Sequence, residues 1–434
     1  MTEARSNHWR ILAGLLLGAA LGVTCHTLGE GRPAFRDTVT WVSDWVAYPV
    51  GQVFLRLLFL VVVPLVFAAL AGSVARLGHL GTLGRMGLRM GLFFLGTMAF
   101  SVALGLVTMR VVAPGEGFSA ELREVLMQAF AADAASMGGA SAAQAATTPL
   151  AKVNLVLDMF LPRNMLGAIT GMQMLPLITF AVLFGLGVGV QSTERRGRIC
   201  GALDSVTDAM IAIVGWAMRM APVAVLCLIF AATSRFGLPL LTKLSAYVGV
   251  VLGLYLVQLL VLYPVLVVLF VRRGPVGFMR TCVPIIATAF STSSSNATLP
   301  TSMRVCEREL GIRPSVCSFV LPMGATVNMN GTALFEGCAV LFVAQVFGID
   351  LSLGQQLLVL VLCVLSAVGV AGVPGGSLPL LMIVMAQVGV PPAGIALILG
   401  VDRLLDMGRT VINVMGDVVT AAYVERGEAA RVAA

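Results

Sequence analysis

Long apolar runs separated by short polar breaks dominate the chain. Runs at 9–28, 46–75, 87–112, 165–191, 206–232 and 244–271 are each long enough, at about 20 residues, to cross a hydrocarbon layer as a helix. After residue 271 the pattern changes. Segments 275–309, 314–348, 353–393 and 394–424 are still apolar, but polar, Gly and Pro clusters interrupt them. These predict broken helices and re-entrant loops, which lipid tolerates only where protein or a water-filled cavity surrounds them. Residues 116–150, rich in Ala, Ser and Gly, read as a flexible external loop without chemistry. No small-residue cleavage site follows 9–28, which reads as a retained first span. Gly14, Gly18 and Gly22 recur every fourth residue and favour a close helix contact.

Composition sharpens the class. Of 434 residues, 58% are hydrophobic and only 11% charged, and mean hydropathy is +0.97. A soluble domain is typically about 25% charged, so this chain cannot clothe a water-facing surface of its own size. That excludes a cytosolic enzyme, a nucleic-acid-binding module and a secreted disulfide scaffold. The net charge of +7 fits basic loops on the cytoplasmic side. With both ends cytoplasmic and membrane-dipping hairpins at 275–309 and 353–393, basic residues are twice as frequent inside as outside. The expected architecture is an all-α polytopic membrane protein of eight transmembrane helices plus two re-entrant helical hairpins, in a bacterial-type inner membrane. Full spans in place of the hairpins satisfy the charge bias equally. Eight scattered cysteines, without a CxxC pair, read as small buried side chains, and His8, His26 and His79 suggest no zinc site.

The last apolar segment carries the densest chemistry. At about 100° per residue, Asp402, Asp406, Arg409, Asn413 and Asp417 fall in a stripe about 80° wide. On insertion scales four such charges cost roughly 10–14 kcal/mol in lipid, so the stripe must face protein, ions or a substrate. A salt-bridged packing seam is the plainer alternative, and Asp402 with Arg403 suits it. A second cluster, Ser293-Ser294-Ser295 followed by Asn296, is a small polar tip between apolar flanks, and helix N-termini there favour an anionic group. A third, Pro322 to Glu336, crowds Gly324, Thr326, Asn328, Asn330, Gly331 and Thr332 into mid-span. Unwound carbonyls there are hard ligands for Na+, although a plain kink is compatible. Glu336 is a lone carboxylate that could carry a proton or pair with an arginine. A fourth, Ser366 to Ser377, breaks the outer hairpin with Gly and Pro. The two hairpin breaks lie on opposite sides, a pattern of inverted repeats around a midplane site.

Together these segments resemble the dicarboxylate/amino acid:cation symporter family, the glutamate transporter fold. The signatures are Ser293-Ser-Ser-Asn-Ala-Thr-Leu-Pro300, Asn328-Met-Asn-Gly-Thr332 and Asp402…Asp406-Met-Gly-Arg-Thr410…Asn413-Val-Met-Gly-Asp417, with Gly51-Gln-Val-Phe-Leu-Arg56 and Pro64 upstream. The resemblance implies a homotrimer with elevator-type alternating access. It places a scaffold at 1–84 and 151–241, a transport domain at 85–115 and 242–424, and a cytoplasmic tail at 425–434, with the outer hairpin as gate. It implies that Arg409 holds a substrate side-chain carboxylate and Asp406 the α-ammonium. Asn413 and Ser295 would hold the α-carboxylate and Thr332 would touch the side-chain carboxylate, with Ser293, Ser294 and Thr410 also substrate-binding and backbone near Val373 and Ser377 closing the site. One Na+ site would comprise Gly324, Asn328, Asn413 and Asp417, and a second Thr326, Ala367, Val368 and Val370.

The chain departs from the family pattern at the third cation site. Asn330 stands where the pattern has Asp, and Phe94, Thr97 and Met98 stand where it has Tyr and Thr-Ser, so weak Na+ binding is expected there. Asn296 replaces the usual Ser, a change expected to matter little. Glu336 occupies the position at which proton-coupled members carry a proton. The implied activity is symport of aspartate or glutamate with Na+, H+ or both, without an organic cofactor. C4-dicarboxylate or neutral amino acid symport is the alternative. A hydrolase using Ser294 or Ser295 lacks a late-span His and a GxSxG motif.

Overall fold

The computed structural model describes residues 2–77, 80–117, 161, 164, 165, 167, 174–368 and 377–432. Among them the regular structure is helical throughout, with no strand. Helix α1 (Thr2–Gly29) leads to the short α2 (Pro33–Val42), a π turn, and then α3 (Tyr48–Leu77), which keeps its course through Pro64. Helix α4 (Leu80–Val112) and α5 (Met174–Gly189) follow. The two runs read as 206–232 and 244–271 are two helices that meet at a kink within α6 (Thr193–Val257), the second continued by π turns and α7 (Tyr263–Leu266) as far as Val271. The kink is a single residue. Gly237 has φ +61° and lies against the His26 ring, a conformation and a clearance that no side chain other than hydrogen tolerates.

The region after 271 is broken as its pattern predicts. Helices α8 (Pro275–Thr281) and α9 (Val283–Thr292) end at Ser293, whose φ of +48° turns the chain, and α10 (Ser295–Arg308) returns. Ser294 caps α10 by accepting a hydrogen bond from the Ala297 N–H at 3.2 Å. Helices α11 (Pro314–Val327) and α12 (Asn330–Phe347) are separated only by Asn328 and Met329. The unwinding expected across 322–332 is thus confined to two residues, because α11 absorbs Pro322 and Gly324 within its length. Gly348, at φ +68°, closes α12 and frees the chain to turn. Helices α13 (Leu353–Val368), α14 (Leu378–Gln387) and α15 (Ile395–Val432) complete the chain. The tip between α13 and α14, with Val370 and Val373, and nearly all of the expected external loop lie outside the described residues.

Among the described residues, four segments are long and apolar enough to cross a membrane by length and composition: Met86–Val112, Thr193–Ala217, Leu241–Val271 and Pro314–Phe347. They differ in what covers them. In the most apolar 18-residue stretch of Pro314–Phe347 94% of the residues are buried within the molecule, against 11% in that of Thr193–Ala217. The core is therefore α11 and α12, wrapped by α4, α10, α13 and α15. On the other side α1 and α3 pack along α6. Gly14, Gly18 and Gly22 lie directly against the α6 backbone at Pro222, Leu226 and Phe230, as their spacing predicts, and the Thr233 hydroxyl donates to the Gly18 carbonyl at 3.3 Å.

Candidate substrate and cation site

Helix α15 carries the ridge into the core. Asp402, Asp406, Arg409, Asn413 and Asp417 are all buried, none more than 5% exposed. A guanidinium and carboxylates at this depth must be paired, since breaking such a pair leaves a buried charge at a cost of about 3–5 kcal/mol. The pairing is internal to the helix. Arg409 donates through Nη2 to Asp406 Oδ1 at 2.5 Å and to Asp402 Oδ1 at 3.1 Å, and through Nε to Asp406 Oδ1 at 3.1 Å. Arg403 donates to Asp406 Oδ2 at 3.0 Å. Spacing alone had set Asp402 with Arg403 as a seam and left Arg403 off the stripe. The geometry corrects this, because the long side chain reaches one turn along the helix to Asp406. The Arg409 guanidinium also stacks 4.3 Å from the Phe335 ring centre, a cation–π contact that the sequence pattern did not flag.

The start of α12 is docked on this ridge. Asn413 Oδ1 accepts from the Gly331 N–H at 2.7 Å and the Thr332 N–H at 3.2 Å, while its Nδ2 donates to the Thr332 hydroxyl at 3.1 Å. Two of the N–H groups that a helix start leaves without partners are satisfied in this way. A Cβ on Gly331 would strike the Arg409 carbonyl and Ile412, so only glycine permits the approach. The Thr410 hydroxyl turns back to the Asp406 carbonyl at 2.8 Å.

Below this point, Asn328 Nδ2 donates to Asp417 Oδ1 at 2.9 Å, and the Gly324 backbone abuts the same carboxylate. These two and Asn413, which the resemblance assigned to one cation site, are therefore neighbours of Asp417 or lie on its helix. Thr326 is half-buried, and its hydroxyl donates to Met323 O at 3.1 Å. Ala367 and Val368 end α13, and Val370 lies beyond the described residues.

The expected weak third site holds a network of neutral groups. Asn330 Nδ2 donates to the Tyr263 hydroxyl at 3.4 Å, and Tyr263 donates to Ile412 O at 2.6 Å. Gln258 Nε2 donates to the Ser101 hydroxyl at 2.7 Å and to Tyr263 at 3.3 Å, and Ser101 donates to Thr97 O at 2.7 Å. The Thr97 hydroxyl stays on its own helix, donating to Phe93 O at 2.9 Å, and Phe94 and Met98 are fully packed side chains. Tyr263, Gln258 and Ser101 escaped sequence reasoning, being single polar residues in apolar runs.

Glu336 is fully buried and accepts a hydrogen bond from the Ser366 hydroxyl of α13. Among the described residues it has no arginine partner, so the ion-paired alternative finds no support there. Ser366 was read only as the edge of a hairpin break. Six residues singled out from the sequence keep a buried polar atom with no partner among the described residues. They are Ser293 Oγ, Asn328 Oδ1, Asn330 Oδ1, Glu336 Oε1, Ser377 Oγ and Arg409 Nη1. Native interiors contain only a few such atoms per hundred residues. These six offer polar groups to which a ligand or ion can bind.

Comparison with known proteins accounts for the arrangement. A family model described as the sodium:dicarboxylate symporter family matches residues 8–427. The proton/glutamate-aspartate symporter of Escherichia coli (strain K12) is 31% identical over 426 residues, covering 97% of this chain and 92% of the relative. The proton/sodium-glutamate symport protein of Bacillus caldotenax is 31% identical over 423 residues, covering 97% and 94%. The neutral amino acid transporter B(0) of Homo sapiens is 34% identical over 418 residues, covering 87% and 74%. With nearly its whole length matched, the chain belongs to the sodium:dicarboxylate symporter family.

Proposed function

We propose that this protein is a secondary active symporter, not an enzyme, that moves aspartate or glutamate across a bacterial-type inner membrane with Na+, H+ or both. The observation that carries the reading is the unpartnered Nη1 of Arg409, 2% exposed, among carboxylates on one helix. A guanidinium nitrogen left open in this way suits a ligand carboxylate through a charge-assisted hydrogen bond. Asp406 beside it suits the ligand ammonium. A neutral amino acid leaves Nη1 without an acceptor, and an acidic one satisfies both groups. Asn413 and Ser295 receive the α-carboxylate, with Ser293, Ser294 and Thr410 lining the same site. Thr332 contacts the side chain, and Val373 and Ser377 close the site.

Coupling follows from the same neighbourhood. Asp417, with Asn328, Gly324 and Asn413, offers the hard oxygens that Na+ prefers, and the free Oδ1 of Asn328 supports this. Thr326 with Ala367, Val368 and Val370 forms the second Na+ site. At Asn330 the neutral Tyr263–Gln258–Ser101 network replaces an anionic ligand set, so a third Na+ binds poorly. Glu336 carries a proton instead. Eight membrane spans and two hairpins divide into the scaffold of 1–84 and 151–241 and the transport domain of 85–115 and 242–424. Both termini are cytoplasmic, the protomers form a homotrimer, and the transport domain moves as an elevator.

The test is uptake of labelled aspartate into proteoliposomes with Na+ and pH gradients imposed separately. Concentrative uptake driven by either gradient and blocked by unlabelled glutamate is the expected result. The human relative, named as a neutral amino acid transporter, makes serine the informative competitor. Serine should compete weakly with the native protein, and Arg409→Cys should shift preference to neutral substrates, taking up labelled serine in place of aspartate. Equal competition by serine and glutamate in the native protein would reassign the substrate class.

A further inference from the structure

Asp406 is flanked on its own helix by a cation one turn before it and another one turn after it. Arg403 holds Oδ2 at 3.0 Å, and Arg409 holds Oδ1 at 2.5 Å through Nη2. Both guanidinium groups are deeply buried, 6% and 2% exposed. With Asp402 on Arg409 at 3.1 Å, two carboxylates and two guanidiniums form a locally neutral quartet. A ligand ammonium arriving at Asp406 must share a carboxylate already engaged on both oxygens and sit beside a like charge. A diacid with no amine meets no such obstacle. The burial penalty of an uncompensated Asp406, which would otherwise reject it, has been removed by Arg403.

We infer that Arg403 is a specificity-determining residue, a tethered cation that stands in for the ligand ammonium at Asp406 and admits amine-free dicarboxylates to the acidic amino acid site. This inference rests on the proposed role of Arg409 and Asp406. Its sign is distinctive. Removing the Arg403 charge favours ligands that bring their own cation and disfavours those that do not, whereas a merely structural role would shift both together.

The experiment uses full-length protein in proteoliposomes, with initial uptake of labelled aspartate inhibited by unlabelled aspartate or by succinate. In the native protein succinate inhibits, though less well than aspartate. In Arg403→Gln the half-inhibiting succinate concentration should rise on the order of tenfold, the scale of one charge-assisted hydrogen bond, while that of aspartate stays level or falls. Arg403→Lys, which keeps the charge, should restore succinate inhibition. In the double variant Arg403→Gln/Asp406→Asn, with both charges gone and the ammonium partner removed, succinate binding, read as ligand-induced thermal stabilisation, should return relative to Arg403→Gln. Ligand-induced thermal stabilisation of the detergent-solubilised protein reads the same two affinities without transport. Succinate that neither inhibits nor stabilises the native protein overturns the inference. So do shifts of equal direction and size for both ligands in Arg403→Gln. If that variant does not fold, a succinate response unchanged between native protein and the double variant, with Arg403→Lys also unchanged, supports the inference, and its loss in the double variant overturns it. A native protein that accumulates neither aspartate nor glutamate, yet is stabilised by succinate, refutes the amino acid assignment and leaves the role of Arg403 standing.

Discussion

Asn330 donates its amide hydrogen to Tyr263, which in turn donates to the Ile412 carbonyl. An aspartate at this position could accept but not donate, so Asn330→Asp would both reverse the local hydrogen bonding and bury a new negative charge. A buried carboxylate without a partner is expensive, and a bound cation is the natural compensation. The variant should therefore need more Na+. Uptake at fixed pH across a range of Na+ concentrations is expected to show a steeper dependence than in the native protein. A Na+ response identical to the native one would refute the lost-site explanation. Glu336 contrasts with this position. Its Ser366 partner can donate to a carboxylate and equally accept from a carboxylic acid, so that contact survives either protonation state.

At the scale of elements, the site exists because α12 starts against α15 with almost no intervening side chain. Gly331 allows that approach, and Asn413 caps the two N–H groups that α12 presents. Gly416 does the same one turn further on, where Asn328, Asn330 and Tyr263 converge. Gly331→Ala should force α12 and α15 apart and lower stability by about 1–3 kcal/mol, the usual cost of overpacking. Gly91→Ala in α4, where a Cβ meets nothing within 4 Å, should be neutral or slightly stabilising, because alanine favours helix. Paired thermal melts in detergent compare the two. Equal melting temperatures for both variants would show that the α12–α15 contact has slack.

Over the whole molecule, burial is sharply uneven. The centre is sealed, while Thr193–Ala217 is largely uncovered, and Trp216, Val223, Leu60 and Trp45 are 62%, 59%, 68% and 72% exposed. Apolar surface on that scale calls for lipid or further protein. The proposed homotrimer covers part of it with copies of the same chain. Native mass spectrometry of the detergent-solubilised protein is expected to record three protomers. A monomer as the only species at every detergent concentration would rule that assembly out.

Much of this was legible in the chain itself. Burial in lipid is decided residue by residue, so the apolar runs announce themselves, and charges tolerated inside them must share a face, as Asp402 to Asp417 do. The motif spacing marked Asn328, Asn330 and Thr332 because amides and glycines in mid-span are costly unless used. The long-range pairs were not legible. Asn328 with Asp417, 89 residues apart, and Glu336 with Ser366, 30 apart, depend on which helices become neighbours, and no local period encodes that. Phe335, Tyr263 and Gln258 look like ordinary packing until the fold surrounds them with polar partners. Arg403 was misplaced for a simpler reason. An angular wheel locates its α-carbon, whereas the guanidinium that neutralises Asp406 lies at the end of a long side chain whose direction only packing determines.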